Sequence, residues 1–158
     1  MSKAKSFRFV YDTDAKLLGI PVTIEYVDID GFIQRRELTA AIDTGATQCF
    51  INRKIAKEMR FTKVGITKTH TAGGVIQSGI HTVNIILPEN IRFDDEEILE
   101  MTDMGIDFVI GLNILKKGDF MLSHLNDELI FSFRIPPVND GNAYRTDTEM
   151  KVSLGRKI

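Results

Sequence analysis

Only one cysteine, Cys49, occurs in 158 residues. An internal disulfide is therefore excluded, and a reducing compartment fits. Long apolar runs are missing as well. No stretch approaches the roughly 20 residues that a membrane-crossing helix needs. The basic start MSKAKSFRFV has no apolar segment behind it, so a secretion signal is not expected. Excess charge of one sign is also lacking: 20 Lys and Arg oppose 22 Asp and Glu, giving a net charge of −2 and a pI near 5.9. Arg35–Arg36 and Lys116–Lys117 read as solvated faces, and no basic footprint for nucleic acid emerges. No repeat at a period of roughly 20–50 residues is present. The expectation is a soluble, cytoplasmic chain with neither a membrane nor a nucleic-acid partner. A hydrophobic content of 43% suits a globular domain with a real core.

Strand signals dominate what is present. IPVTIEYV (20–27) is β-branched and aromatic, DIDG (28–31) is a turn, and FIQRRELTAAI (32–42) runs back as the second arm of a hairpin. Its first half is polar and its second half apolar, so it should begin at the surface and end inside. Asn52 caps a short helix in CFINRKIAKEM, with Ile55 and Met59 on one face. Residues 66–87 read as two long strands joined at Gly73–Gly74, a mobile hairpin by composition. FVIGLNIL (108–115) is an apolar strand ended by Gly111 and followed by a helix-like run. DFMLSH and ELIFSFRI form a last hairpin about Asn126–Asp127. From Pro136 the composition turns polar, and a tail is expected. The sum is an all-β fold with one or two short helices.

AIDTGAT (41–47) breaks the apolar pattern with a carboxylate, two hydroxyls and a glycine. Peptide hydrolysis needs a nucleophilic water and a polarised carbonyl. Two carboxyl groups a few ångströms apart supply both, because like charges so close share one proton. The ionised member acts as general base and the protonated member as general acid. The chain holds only one such turn. DMG (103–105) follows no apolar strand and lacks the hydroxyl, so it reads as a surface turn. A pair therefore requires a second Asp43 from another copy across a two-fold axis. Gly45 would let backbones approach there, and the Thr44 and Thr47 hydroxyls can bond turn amides.

AAIDTGAT (40–47) resembles the active-site loop of retropepsin-like aspartic peptidases. FVIGLNIL is similar to their second hallmark, two hydrophobic residues and a glycine before a short helix, and TAGGV (71–75) sits where their flap tip belongs. The order of these motifs is also theirs, over roughly residues 20 to 135. The flap lacks the glycine-rich repeat of viral members and looks closer to cellular and bacterial relatives.

The resemblance implies a closed β-barrel lobe, one per chain, flanked by an N-terminal extension (1–19) and a polar tail (136–158). It implies a homodimeric endopeptidase acting on peptides or proteins without metal or organic cofactor. Asp43 would be the catalytic acid, supported by Thr44, Gly45, Ala46 and Thr47. Ala72, Gly73, Gly74 and Val75 would form the flap, and Val109, Ile110 and Gly111 would brace the Asp43 loop. Ile42, Val75, Ile76 and Ile110 are candidates for apolar side-chain pockets. The rival is a non-catalytic dimerisation or peptide-binding module on the same fold; a protease that trims only its own tail near Pro136–Pro137 is a further one.

Other chemistries fare less well. Cys49 with His70, His81 or His124 shows no thiol-protease signature. DDEE (94–97) with Glu100, Asp103 and Asp107 lacks calcium-loop spacing and reads as a solvated strand edge. AGGVIQSG has no Gly-Lys-Ser/Thr and is no phosphate loop.

Overall fold

The computed structural model describes residues 4–102 and 105–137. Contacts divide the chain into two compact units, Leu17–Ile114 and a second built from the flanks, of which 4–16 and 115–137 are described. The flanking unit is a three-stranded antiparallel sheet. β1 (Lys5–Asp12) pairs with the later hairpin strand β10 (Glu128–Ile135), which pairs in turn with β9 (Asp119–Leu125). Phe7, Phe131 and Phe133 share one face of it, with the Phe131 and Phe133 ring centroids 6.3 and 5.8 Å from that of Phe7. Asn126 and Asp127 form the hairpin turn with φ of 49° and 61°, the left-handed conformation that Asn and Asp tolerate. Residues 1–19, read as an extension, thus contribute β1. The tail expected from Pro136 lies, beyond residue 137, outside the described residues.

In the larger unit, β2 (Gly19–Val27) and β3 (Ile33–Ile42) form the expected hairpin. Asp28 locks its turn: Oδ1 accepts the N–H groups of Asp30 and Phe32, each at 3.0 Å, and Oδ2 accepts from Gln34 Nε2. β3 starts exposed and ends inside, with Leu38, Ala40 and Ala41 buried. After β4 (Cys49–Asn52), Asn52 Oδ1 accepts the Lys54 N–H and opens helix α1 (Arg53–Met59). The buried pair on α1 is Ala56 and Met59. Ile55, expected beside Met59, is only half-buried; on a helix of two turns the inward stripe is narrow, and it falls at i, i+3.

β5 (Gly65–Thr71) and β6 (Gly74–Leu87) form the long hairpin. A 3-10 turn at Pro88–Asn90 leads into β7 (Ile91–Met101), and β8 (Phe108–Ile110) precedes helix α2 (Leu112–Leu115). The pairings run β2–β3–β8–β4–β7–β6 and back to β2, closing six strands into a barrel. The β3–β8 and β4–β7 pairs are parallel. Among the described residues β5 pairs only with β6. Inward residues such as Ile20, Ile24, Ile51, Ile85, Ile98 and Phe108 fill the barrel and are almost wholly buried. The all-β expectation with short helices therefore holds among the described residues. No described helix is long and apolar enough to cross a membrane.

One sequence expectation needs correction. Asp94, Asp95 and Glu97 are exposed as predicted, but Glu100 is 3% exposed. β7 is an inner strand between β4 and β6, so alternation turns Ile98 and Glu100 into the core. Asp107 is half-buried and accepts from the Thr39 N–H, and Asp103 lies outside the described residues.

Glu25 is a second buried acid. Arg92 and Asn84 donate to Oε1 and Arg35 to Oε2. The Arg92 hydrogen bond above all, helped by Asn84 and Arg35, lowers its carboxyl to about 2. An acid depressed in the folded state stabilises above its unfolded value near 4.3, and that stabilisation is lost as pH falls towards 2. Glu25→Gln should therefore lower the melting temperature near neutrality, and the gap from wild type should close between pH 5 and about pH 2. Calorimetric scans across that range would show it; a constant gap would contradict it.

Candidate active site

β3 carries the chain inward to Ala41, and Ile42 then delivers Asp43 to an exposed loop. The loop hangs on β8 and α2 through main-chain bonds. The Asp43 N–H donates to the Ile110 carbonyl (3.1 Å), continuing the β3–β8 ladder. The Leu112 N–H then donates to Ala46 O (2.8 Å), and the Asn113 N–H to Thr47 O (3.2 Å). Two of the first N–H groups of α2, which have no partner within the helix, thus hold the far side of the turn. Inside the loop, the Gly45 N–H donates to Asp43 Oδ1 (2.8 Å) and orients the carboxylate. Oδ2 makes no hydrogen bond among the described residues.

Gly111 makes this approach possible. A Cβ there would lie 2.3 Å from the Gln48 carbonyl oxygen and 2.9 Å from that of Ala46. Cys49 packs behind the same turn, fully buried, with its thiol donating to Asn113 Oδ1 (3.3 Å). The Gly111 N–H meets its sulfur at 3.5 Å. A thiol enclosed in this way is not presented to a substrate.

Asp43 borders a cleft of about 1000 Å³ between its loop and the β5 side of the hairpin. Gly45, Ala46, Thr47, Ala72, Gly73 and Val109 line it with Asp43. Thr44 is exposed outside that lining, and Gly74 and Val75 open the return strand β6. Ile110 and Gly111 lie buried behind the loop. Of the expected apolar pocket residues, Ile42 lines the cleft; Val75 and Ile76 do not, and Ile110 is fully buried. β8 alternates, so Val109 faces the space that Ile110 cannot reach. At the hairpin tip the Thr71 hydroxyl donates to Gly74 O (2.9 Å) and accepts the Gly73 N–H (3.2 Å). Gly74 takes φ of +117°, which L side chains rarely adopt.

The base of this hairpin is tied by an ionic cluster that spacing along the chain does not reveal. Arg53 donates to the Gln77 carbonyl (2.7 Å) and to Glu100 Oε2 (3.3 Å). Glu100 Oε1 meets His81 Nε2 at 2.9 Å and Lys63 Nζ at 3.4 Å. Burial pushes the Glu100 carboxyl up, but the His81 hydrogen bond and the Lys63 charge outweigh it, so the group sits below the usual carboxylate value. Gly79 leaves room for that carboxyl, which a Cβ there would meet at 2.8 Å.

A family model described as gag-polyprotein putative aspartyl protease matches residues 29–117, more than half of the sequence. The chain belongs to this family. Its match spans the Asp43 loop, the β5–β6 hairpin and Gly111 together. The crystal structure of a retropepsin-like aspartic protease from Rickettsia conorii superposes with a TM-score of 0.53 at 14% identity, over 85% of this chain and 97% of that one. At such identity the likeness is one of fold. The EIAV protease in complex with an inhibitor gives a TM-score of 0.49 at 18% identity, over 65% of this chain and 88% of that one. No curated protein matches the sequence.

In this retropepsin-like barrel, any side chain at position 111 would press on main-chain atoms of the Asp43 loop. Gly111→Ala forces a methyl group against two rigid carbonyls and should destabilise the protein by about 3 kcal/mol. Denaturant unfolding measures this; a change below about 1 kcal/mol would show that the loop and β8 can separate without cost.

Proposed function

We propose that the protein is a homodimeric aspartic endopeptidase whose reacting water lies between two Asp43 carboxyls, one from each subunit. The observation that carries this reading is the presentation of Asp43. Its carboxylate is exposed at a large cleft, oriented through Oδ1 by Gly45 and open at Oδ2, on a loop anchored to β8 and α2. Family membership supplies the chemistry such a loop serves.

In the proposed reaction an extended peptide enters the cleft beneath the hairpin. The ionised Asp43 of the pair takes a proton from water, and the oxygen attacks the scissile carbonyl carbon. The protonated Asp43 of the partner gives its proton to the carbonyl oxygen. The neutral tetrahedral intermediate then collapses. Its C–N bond breaks as the amine nitrogen takes the proton first removed from water, and a hydroxyl proton returns to a carboxylate. One carboxylic acid and one amine leave, no acyl-enzyme forms, and the pair again holds one shared proton. Ala72 and Gly73, on the cleft wall, would close over the peptide and exclude water.

Asp43→Asn should lower kcat/KM on a peptide library by at least about 100-fold while leaving the dimer intact in sedimentation analysis. The wild-type rate should fall at both pH extremes, where the pair is doubly ionised or doubly protonated. Equal cleavage by the variant and wild type, or full activity of a monomer, would overturn the proposal. A wild type that dimerises and binds peptides without cleaving them would point to the non-catalytic module instead.

A further inference from the structure

Among the described residues β5 is bonded to the sheet on one side only, through β6, and its other main-chain edge has no strand partner. Residues 67 to 73 line the cleft consecutively. Alternate residues would line it if the strand turned a face to the space; consecutive ones do so because it turns its edge. A peptide added along that edge sends its side chains alternately to the two sides of the hairpin. One side carries Thr67, Thr69 and Thr71, with the Thr69 hydroxyl donating to Ser78 Oγ (2.8 Å). The other carries Lys68 and His70, both exposed. Apart from Asp43, these two are the only ionisable side chains among the described residues that line the cleft, and neither makes a side-chain hydrogen bond or ion pair with a described residue.

We infer that the cleft selects extended peptides carrying acidic side chains at two alternate positions, i and i+2, where they meet Lys68 and His70. The inference rests on the peptidase reading only for the placing of a peptide in this cleft. Lys68 offers an ammonium and His70 a ring N–H, both donors suited to a carboxylate. Their two-residue spacing matches the side-chain period of the added strand, so both contacts form in one register. The hydroxyl side of the hairpin carries no charge and leaves the intervening substrate positions free to vary.

Binding tests this without hydrolysis. Labelled peptides with one apolar centre and Glu-x-Glu, Gln-x-Gln or Lys-x-Lys flanks are titrated by fluorescence anisotropy against the full-length Asp43→Asn protein. The Glu peptide should bind about ten-fold more tightly than its Gln isostere, and the advantage should shrink as salt rises from about 0.05 to about 0.5 M. Lys68→Glu should reverse the order of the Glu and Lys peptides, and His70→Ala should weaken the Glu preference several-fold. Equal binding of Glu and Gln peptides, no binding of any, or a preference that survives Lys68→Glu would overturn the inference. Cleavage of the same peptides by wild type separates the two readings. Cleavage without charge preference defeats the acidic-substrate inference alone, whereas charge-selective binding without any cleavage defeats the peptidase reading and leaves this one standing.

Discussion

The hydrogen bond from the Asp43 N–H to the Ile110 carbonyl is the constraint on which the site depends. It extends the parallel β3–β8 ladder by one residue beyond the strand, so the loop leaves the barrel from a fixed point. Parallel strands come from distant parts of the chain, and here the segment between them contains β4, α1 and the whole β5–β6 hairpin. The same pairing that roots the carboxylate therefore closes the barrel around the elements that wall its cleft. Gly111 is where the two requirements meet: the chain must turn from β8 into α2 while the Gln48 and Ala46 carbonyls press against it. Backbone contacts at that range admit no side chain, and the α2 amides are then near enough to take up the loop's carbonyls.

Electrostatics divides the acids into two groups with opposite roles. Glu25 and Glu100 are buried, and each is met by several donors that hold it ionised. A buried carboxylate without partners would cost several kcal/mol, so these two are structural pins. Arg53 makes one of them reach the hairpin, because its guanidinium spans Glu100 and the Gln77 carbonyl. Asp43 is the opposite case. It is exposed, and among the described residues it has no cationic partner. An acid neutralised by a neighbouring cation could not share a proton with a twin. On the proposed reading that lack of a partner is what leaves Asp43 available.

Much of this was legible in the sequence because it rests on local signals. The Asp28–Gly31 turn, the Asn52 cap, the break at Gly73–Gly74 and the strand–glycine–helix run at 108–115 all depend on residues within a few positions of one another. Features that depend on long-range pairing were hidden. Glu100 reads as part of an acidic edge until β7 is known to lie between two other strands. β1 was missed because a strand of mixed burial, paired only with the far end of the chain, has no distinctive local pattern. Within the site, the Asp43 loop announced itself by composition. Lys68 and His70 did not, since a lysine and a histidine on a polar strand look like any solvated face until the open edge of β5 is placed against the cleft.

Leaving the acid exposed also distributes cost across folding and assembly. If Asp43 were enclosed within one barrel, its desolvation would weigh on the folding of every chain, as it does for Glu100, and would demand donors that quench it. Exposed on a braced loop, it adds no such burden to the barrel. The penalty would arise only when two loops meet and water is displaced, and there a shared proton removes one of the two charges. Association through a two-fold axis would then both assemble the chemistry and perturb the acids that perform it. A single barrel with Asp43 in this position has a carboxylate mounted on a braced loop at a wide cleft, but among the described residues that line it there is no second acid, which the proposed mechanism requires.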